Sequence, residues 1–257
     1  MIEYIKMSRT EILDARTGSK LPRGSALDAA ASFHARIFYA DHACVGGQAA
    51  LSVGALRFAY INHQLGTIDA AAAVLEAIDL FLRDFPSLKP PYRPLIICFK
   101  GPRSISAEEG HELTWATLHA MNNADRVSYS AAELISEDPQ NEDFGFSWRD
   151  EVWFVNAGFP NHPRKSRDFQ TPLWIINLQE NFDLLRKAGW FDTIKMANAK
   201  REIEYQGSTN PVLADKGQKN QWQQVTSVQG QAEPKCPFQN GPKAQAPSKG
   251  KGLKKAS

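Results

Sequence analysis

The feature that most constrains the fold is a short apolar run in the middle of the chain, Leu95-Ile96-Ile97-Cys98-Phe99. It lies between a proline-rich stretch and a Gly-Pro pair. An apolar run of this length between helix-breaking residues favours a buried β-strand over a helix. Two more runs, Glu151 to Ala157 and Leu173 to Asn177, are rich in aromatic and β-branched residues and predict further core strands.

Segments with helical patterning separate these predicted strands. Ser25 to Tyr39 begins with a capping-box-like arrangement, in which Ser25 is the N-cap and the Asp28 carboxylate favours the first turn. Gly47 to Ile61 carries small residues throughout, which predicts a helix that packs closely against a neighbour or a flat ligand. The other predicted helices are Thr67 to Phe85, Ser106 to Met121, Asn181 to Lys187 and Asp192 to Tyr205.

Helices and strands interleave without the regular alternation of a doubly wound sheet. We therefore predict a mixed α/β (α+β) class, with a small mixed, partly antiparallel sheet packed by several helices. A chain of 257 residues, 42% of them hydrophobic, is long enough to bury the core of one large domain. No Gly-x-Gly-x-x-Gly follows a predicted strand and no Walker loop occurs, so a nucleotide cofactor is not expected within this chain.

The two ends of the chain differ from its middle. Residues 1–24 are predicted to form a polar N-terminal leader, and residues 25–238 a single domain. Residues 239–257 contain several lysines, no acidic residue and almost nothing apolar, which predicts a disordered basic tail. A solvated, solubilising end is the simplest interpretation of this tail.

Charge and cysteine content suggest where the protein works. The formal net charge of +2 is too small to imply a polyanionic partner, so no nucleic-acid partner is expected. The N-terminus lacks an apolar signal core, and the apolar runs are too short to span a membrane. Three cysteines do not make a disulfide framework, and their number is odd. These features predict a cytoplasmic protein without a membrane partner.

Four short motifs follow one another along the chain: Cys44-Val45-Gly46-Gly47-Gln48, His162-Pro163-Arg164-Lys165-Ser166-Arg167, Gly207-Ser208-Thr209-Asn210-Pro211 and Cys236-Pro237-Phe238. In this order they resemble the YqcI/YcgG-like proteins, also described by their FPC and CPF motifs. The resemblance runs from about Phe38 to Phe238. It departs from the family pattern before the first cysteine, where His42-Ala43 replaces the usual Phe-Pro.

The resemblance implies an activity. Family members with an assigned activity are haem-dependent N-hydroxylases that act on the guanidino group of arginine or arginine-derived compounds in specialised metabolism. By resemblance, the expected cofactor is haem b, and the expected partners are a small guanidino substrate, O2 and an external electron-donating reductase. Such an enzyme needs an axial iron ligand, cations for the propionates, an apolar pocket and an anionic site for the substrate guanidinium.

The sequence offers candidates for the cofactor site. His162 lies in a loop with Arg164 and Arg167, so one stretch supplies an imidazole for the iron and guanidinium groups for the propionates. Cys44 is the alternative metal ligand, because a thiolate favours O–O cleavage and a position just before a helix lowers a thiol pKa. Cys236 is predicted to lie in a terminal segment that docks through Phe238 and closes the pocket.

Two residues are candidates for contact with the substrate. Glu151, at the edge of a predicted strand, is the candidate carboxylate for the guanidinium, since a carboxylate and a guanidinium form two charge-assisted hydrogen bonds. Asn156, within the same strand, is the candidate for orienting oxygen or substrate. Two other functions stay open on the residues alone: a haem-free thiol-redox protein using Cys44 and Cys236, and a non-catalytic interaction module using the basic tail.

Overall fold

The computed structural model describes residues 2–39, 42–136, 138, 141, 143–212 and 221–228. Its centre is a seven-stranded mixed sheet with the strand order β2-β1-β3-β4-β7-β6-β5. The strands are β1 (Ile2–Met7), β2 (Ile12–Asp14), β3 (Leu56–Ile61), β4 (Leu95–Phe99), β5 (Phe146–Trp148), β6 (Glu151–Gly158) and β7 (Leu173–Leu178). Only β3 and β4 pair in parallel among these strands, and every other pair is antiparallel. The predicted α+β class with a partly antiparallel sheet is confirmed.

Helices cover both faces of this sheet. They are α1 (Ser25–Tyr39), α2 (Val45–Val53), α3 (Ile68–Asp84), α4 (Ala107–Asp125), α5 (Gln179–Lys187), α6 (Phe191–Gln206) and α7 (Gln221–Thr226). Side-chain caps fix the starts of α3 and α4: the Thr67 hydroxyl accepts a hydrogen bond from the Ala70 N–H, and the Ser106 hydroxyl accepts one from the Glu109 N–H. None of the helices in the described ranges combines the length and apolarity needed to cross a bilayer.

Side-chain alternation along the strands separates two cores. On β7, Trp174 and Ile176 point to the face covered by α3 and α4, whereas Leu173 and Ile175 point to the opposite face. The opposite face packs against α1 and α2 and then continues towards α5 and α6. The sheet is therefore the middle layer of three, and its second face holds the site described below.

The segment from residue 47 to residue 61 does not form one helix, and that prediction is wrong. Helix α2 ends at Val53, and Gly54 follows with a left-handed φ of +67° that stops the helix. The chain then enters β3, a fully buried strand between β1 and β4. The small residues of this segment are compatible with a helix, which is why one helix was predicted. The run from Leu56 to Ile61 instead forms β3, between β1 and β4.

The predicted leader, residues 1–24, is wrong for the part that the structure describes, because residues from Ile2 onwards belong to the domain. Strand β1 pairs along its whole length with β3, and β2 extends the sheet beyond β1. Ile5 is completely buried against Phe58 on the neighbouring strand. Ile2 and Tyr4 pack into the core on one face of the sheet, and Ile5 and Met7 pack into the core on the other face. The predicted tail, residues 239–257, lies outside the described residues.

Truncating a side chain of β1 tests whether this strand belongs to the cooperative core. We expect Ile5→Ala to lower the free energy of unfolding by about 3 kcal/mol, because it leaves a cavity between fully buried neighbours. The control Glu11→Ala, in the exposed turn after β1, should change stability by less than about 0.5 kcal/mol. Urea unfolding monitored by tryptophan fluorescence measures both. Equal midpoints for Ile5→Ala and wild type would show that β1 is dispensable.

Candidate functional site

A cavity of about 560 Å³ lies between the second face of the sheet and helices α2, α5 and α6. Its floor is formed by residues that share one face of neighbouring strands, because directly paired residues point to the same side of a sheet. Its walls are largely apolar, and a cavity of this size suits a small molecule or a cofactor. Floor residues that face it are Leu56, Ile96, Phe154, Asn156, Gly158, Leu173, Ile175 and Asn177.

Two asparagines interrupt this apolar floor. Asn156 on β6 pairs with Ile175, and Asn177 on β7 pairs with Phe154, so the two amides are diagonal neighbours on one face. The Asn156 Oδ1 accepts a hydrogen bond of 2.6 Å from Arg167, which orients the amide and leaves its N–H2 group as a donor. Asn156 and Asn177 are therefore the two floor side chains that add polar groups to the cavity lining.

Cys44 lines the cavity as the N-cap of α2. Its Sγ accepts a hydrogen bond from the Gly47 N–H at 3.2 Å, and a Cβ at position 47 would lie 3.5 Å from the sulfur. Burial raises the pKa of the Cys44 thiol, although the helix N–H groups act in the opposite direction. The thiol is therefore protonated at neutral pH, which opposes a freely reactive redox cysteine.

His42 also lines the cavity, and both of its ring nitrogens have protein partners. Nδ1 accepts from the Cys44 N–H at 3.2 Å, so Nε2 carries the proton and donates to the Ser166 carbonyl at 3.1 Å. Burial lowers the pKa of the imidazole and keeps it neutral. His42 thus connects the turn before α2 to the loop of residues 162–167, called the basic loop below. The pattern that the sequence resembles has a proline-containing turn at the position of His42-Ala43.

His162 does not line the cavity. Its ring is buried, Nδ1 accepts from the Arg164 N–H at 2.9 Å, and Nε2 donates to the Thr226 carbonyl at 2.7 Å. Burial lowers the pKa of His162 to about 4. With both nitrogens occupied by the protein, this arrangement leaves no electron pair of His162 for a metal ion.

Arg164 does not line the cavity either, and its guanidinium is bound to a carboxylate. Its Nε and one terminal nitrogen donate to the same oxygen of Glu202 at 3.1 and 2.8 Å. The terminal nitrogen also donates to the Ser208 carbonyl at 2.7 Å. Arg164 therefore fixes α6 and the Gly207–Pro211 segment to the basic loop.

Arg167 lies on the cavity wall, but its guanidinium clamps α7 against β6. One terminal nitrogen donates to the carbonyls of Ala157 and Val225, and the other donates to Asn156 Oδ1 and the Gln224 carbonyl. All four terminal N–H groups are used, and burial lowers the pKa of Arg167 to about 10. The carbonyl end of α7 supplies the partial negative charge that accommodates this cation.

The structure places Glu151 away from the cavity lining. Glu151 begins β6 at an exposed position and is not among the cavity-lining residues. The pKa of its carboxyl is raised by partial burial and by the neighbouring charges of Glu180 and Asp150. Cys236 lies outside the described residues, so its predicted role stays a prediction.

Sequence reasoning missed the contribution of α6, whose side chains form the cavity wall opposite the sheet. Ile194, Lys195, Asn198, Ala199 and Glu202 face the cavity, and their spacing of three and four residues follows one side of a helix. This spacing was readable in the sequence. No α6 residue is fully buried, however, so no clear apolar stripe marked this side.

The buried His162 gives the fold a defined acid sensitivity. Its folded-state pKa of about 4 lies below its ordinary value of 6.5, so the unfolded chain binds the proton first as the pH falls. We expect stability to decline between about pH 6.5 and pH 4, with about 3 kcal/mol attributable to His162. His162→Gln, which keeps a donor for Thr226, should flatten this decline in urea unfolding at several pH values. Parallel profiles for variant and wild type would contradict the prediction.

Replacing the Arg167 guanidinium should weaken the contact between α7 and β6. In Arg167→Lys a compact ammonium replaces a guanidinium that bridges four acceptors, so we expect a loss of about 3 kcal/mol and faster amide hydrogen exchange across residues 221–228. The control Arg186→Lys alters an exposed ion pair with Asp183 and should cost less than about 0.5 kcal/mol. Unchanged amide hydrogen exchange in α7 would show that the Arg167 hydrogen bonds are not required to hold this helix in place.

Comparison with known proteins gives one match. No curated protein and no solved structure matches the chain. The model of the YqcI/YcgG family matches residues 33–239, a span that contains every residue lining the cavity. This match confirms the family predicted from the four motifs. The chain belongs to the YqcI/YcgG family.

Proposed function

We propose that this protein is a cytoplasmic, haem-dependent monooxygenase that N-hydroxylates a guanidino group, on L-arginine or an arginine-derived compound, within the cavity over the sheet. The observation that carries the proposal is the convergence of family motifs on one cavity. Cys44, Gly46 and Gly47 come from the first motif, Ser166 and Arg167 from the second, and Thr209 and Asn210 from the third. Motifs far apart in sequence that meet at one cavity are typical of a functional site.

The residues present fit a haem group. The porphyrin faces need apolar walls, which the sheet floor and the side chains of Phe182, Leu185 and Ile194 supply. The propionates need cations, and Arg186 and Lys195 line the cavity. The iron needs a donor atom, and the chemistry of the lining residues favours the Cys44 sulfur, because His42 has both nitrogens bonded.

Cys44 would hold the iron as a thiolate, releasing the proton that burial retains on the free thiol. When bound, the haem supplies oxygen activation with electrons from an external reductase. The overall reaction consumes O2, two electrons and two protons: one oxygen atom forms the new N–O bond, and the other leaves as water.

The protein's own contribution is to bind, orient and exclude water. The apolar floor and the α5 and α6 walls keep water from the reacting nitrogen. Asn156, fixed by Arg167, presents amide N–H donors at the cavity floor for an oxygen acceptor of substrate or O2. Arg167 acts as a positioning residue, since its own N–H groups contact protein acceptors.

Haem titration tests the proposal directly. We expect the purified chain to take up haem with a Soret band that shifts on addition of arginine, because arginine bound in the same cavity would change the surroundings of the haem. Cys44→Ala should lose or shift this band, and His162→Ala should retain it. Cys98→Ala is the matched control: this buried thiol lies on the same sheet face but hydrogen-bonds Thr171 and does not line the cavity.

Two results would overturn the proposal. A chain that remains colourless after haem supplementation would remove the cofactor. Equal spectra for Cys44→Ala and Cys98→Ala would remove the sulfur ligand, and a band that vanishes only in His162→Ala would return the role to the imidazole.

A further inference from the structure

Glu202 is the one acidic side chain among the described residues that line the cavity. It projects from the C-terminal half of α6, and its side chain is 13% exposed. A carboxylate is rarely kept this far from water unless it is paired or has a ligand to bind. What Glu202 contacts on each of its two oxygens therefore decides its role.

The two carboxylate oxygens have different surroundings. Oε1 accepts three hydrogen bonds, two from Arg164 at 3.1 and 2.8 Å and one from the Ser166 hydroxyl at 2.8 Å. Oε2 has no hydrogen-bond partner among the residues that the structure describes. The carboxylate is thus held rigidly by one oxygen and offers the other as a preorganised acceptor.

The charge of Glu202 reaches the cavity side of the site. Burial is the main cause of both pKa shifts: it lowers the pKa of His42 and raises the pKa of Cys44. The negative charge of Glu202 acts to raise both pKa values. Arg167 is nearby, but its terminal N–H groups are used by α7 and β6. The neighbouring amides of Asn156 and Asn198 have their oxygens bonded to Arg167 and to the Val45 N–H.

Charged side chains lie at both ends of the cavity wall that α6 forms. Lys195 and Glu202 are seven residues apart, about 10 Å along the helix axis, and both face the cavity. Arg186 and Lys195 lie at the α5 end, whereas at the other end the Glu202 carboxylate lies next to the guanidinium groups of Arg164 and Arg167. Because the terminal N–H groups of Arg167 are bonded to protein acceptors, Oε2 of Glu202 is the charged group left open to a ligand at this end. One open carboxylate oxygen suits a single N–H of a cationic group rather than two parallel hydrogen bonds.

We propose that Glu202 is the specificity-determining anchor for a cationic group, an alkylammonium or a guanidinium, on the ligand of this cavity. This proposal rests on the proposed function only in taking the cavity as the substrate site. Glu202 replaces the exposed Glu151 as the carboxylate that binds the substrate cation. Because Arg164 and Ser166 hold Oε1, they are positioning residues for the anchor.

Calorimetric titration of the full-length chain, with and without haem, tests this anchor with three ligands of equal chain length: n-butylguanidine, n-butylamine and n-butanol. We expect the wild type to bind at least one cation about tenfold or more tightly than the alcohol, since a hydrogen bond to a charged group is being added. The guanidine and amine arms show which cation the site prefers. This comparison needs no variant, so it remains valid whatever a substitution does to folding.

Glu202→Gln keeps the size and the Oε1 acceptor but removes the charge, so it should lose the preference for the cation and bind butanol as the wild type does. The matched control is Glu204→Gln, two residues along α6, whose side chain is 63% exposed and 4.0 Å from Lys200. It should keep the preference. No cation preference in the wild type, or an unchanged preference in Glu202→Gln, would overturn the proposal.

The outcome is distinguishable from that of the haem titration. A colourless chain that still prefers the cation, and loses this preference in Glu202→Gln, supports the anchor while removing the haem enzyme. A haem-binding chain with no cation preference supports the haem enzyme and removes the Glu202 anchor.

Discussion

A buried guanidinium must find its hydrogen bonds within the protein, and Arg167 does so by joining three parts of the chain. Its terminal N–H groups bind carbonyls of α7, a carbonyl of β6 and the amide oxygen of Asn156. The floor of the cavity, the loop with the basic motif and the last described helix are consequently held in one arrangement. The orientation of the Asn156 amide depends on the same contact.

Several motif residues with chemically reactive or charged side chains make structural hydrogen bonds that hold these parts together. His162 binds the Thr226 carbonyl, Arg164 binds Glu202 and the Ser208 carbonyl, and Asn210 donates to the Ser227 hydroxyl at 3.0 Å. These contacts join the second and third motifs to α6 and α7. Cys44 and Glu202, by contrast, face the cavity, and they are the residues that we propose as ligands of the cofactor and the substrate. A shared motif therefore identifies a site without separating the residues that build it from those that act in it.

Local signals predicted the elements that have clear ends. A helix was predicted from Ser106, and Ser106 caps the start of α4; the run of residues 95–99 is the buried strand β4. The segment of residues 47–61 was predicted wrongly because helix propensity cannot detect that β3 is needed between β1 and β4, a long-range pairing. The leader was misjudged for the same reason, since β1 is stabilised by β3, a partner strand about fifty residues away.

The sequence by itself determined the family and the mixed class, because motif order, strand composition and caps are local properties. Only the tertiary structure decided which side chains share the cavity. Glu151 and Asn156 lie on one strand, yet one is exposed at its start and the other faces the floor. Glu202 is distant in sequence from Cys44 and lines the same cavity. Side-chain direction and burial depend on the packing of the whole chain, which no single segment encodes.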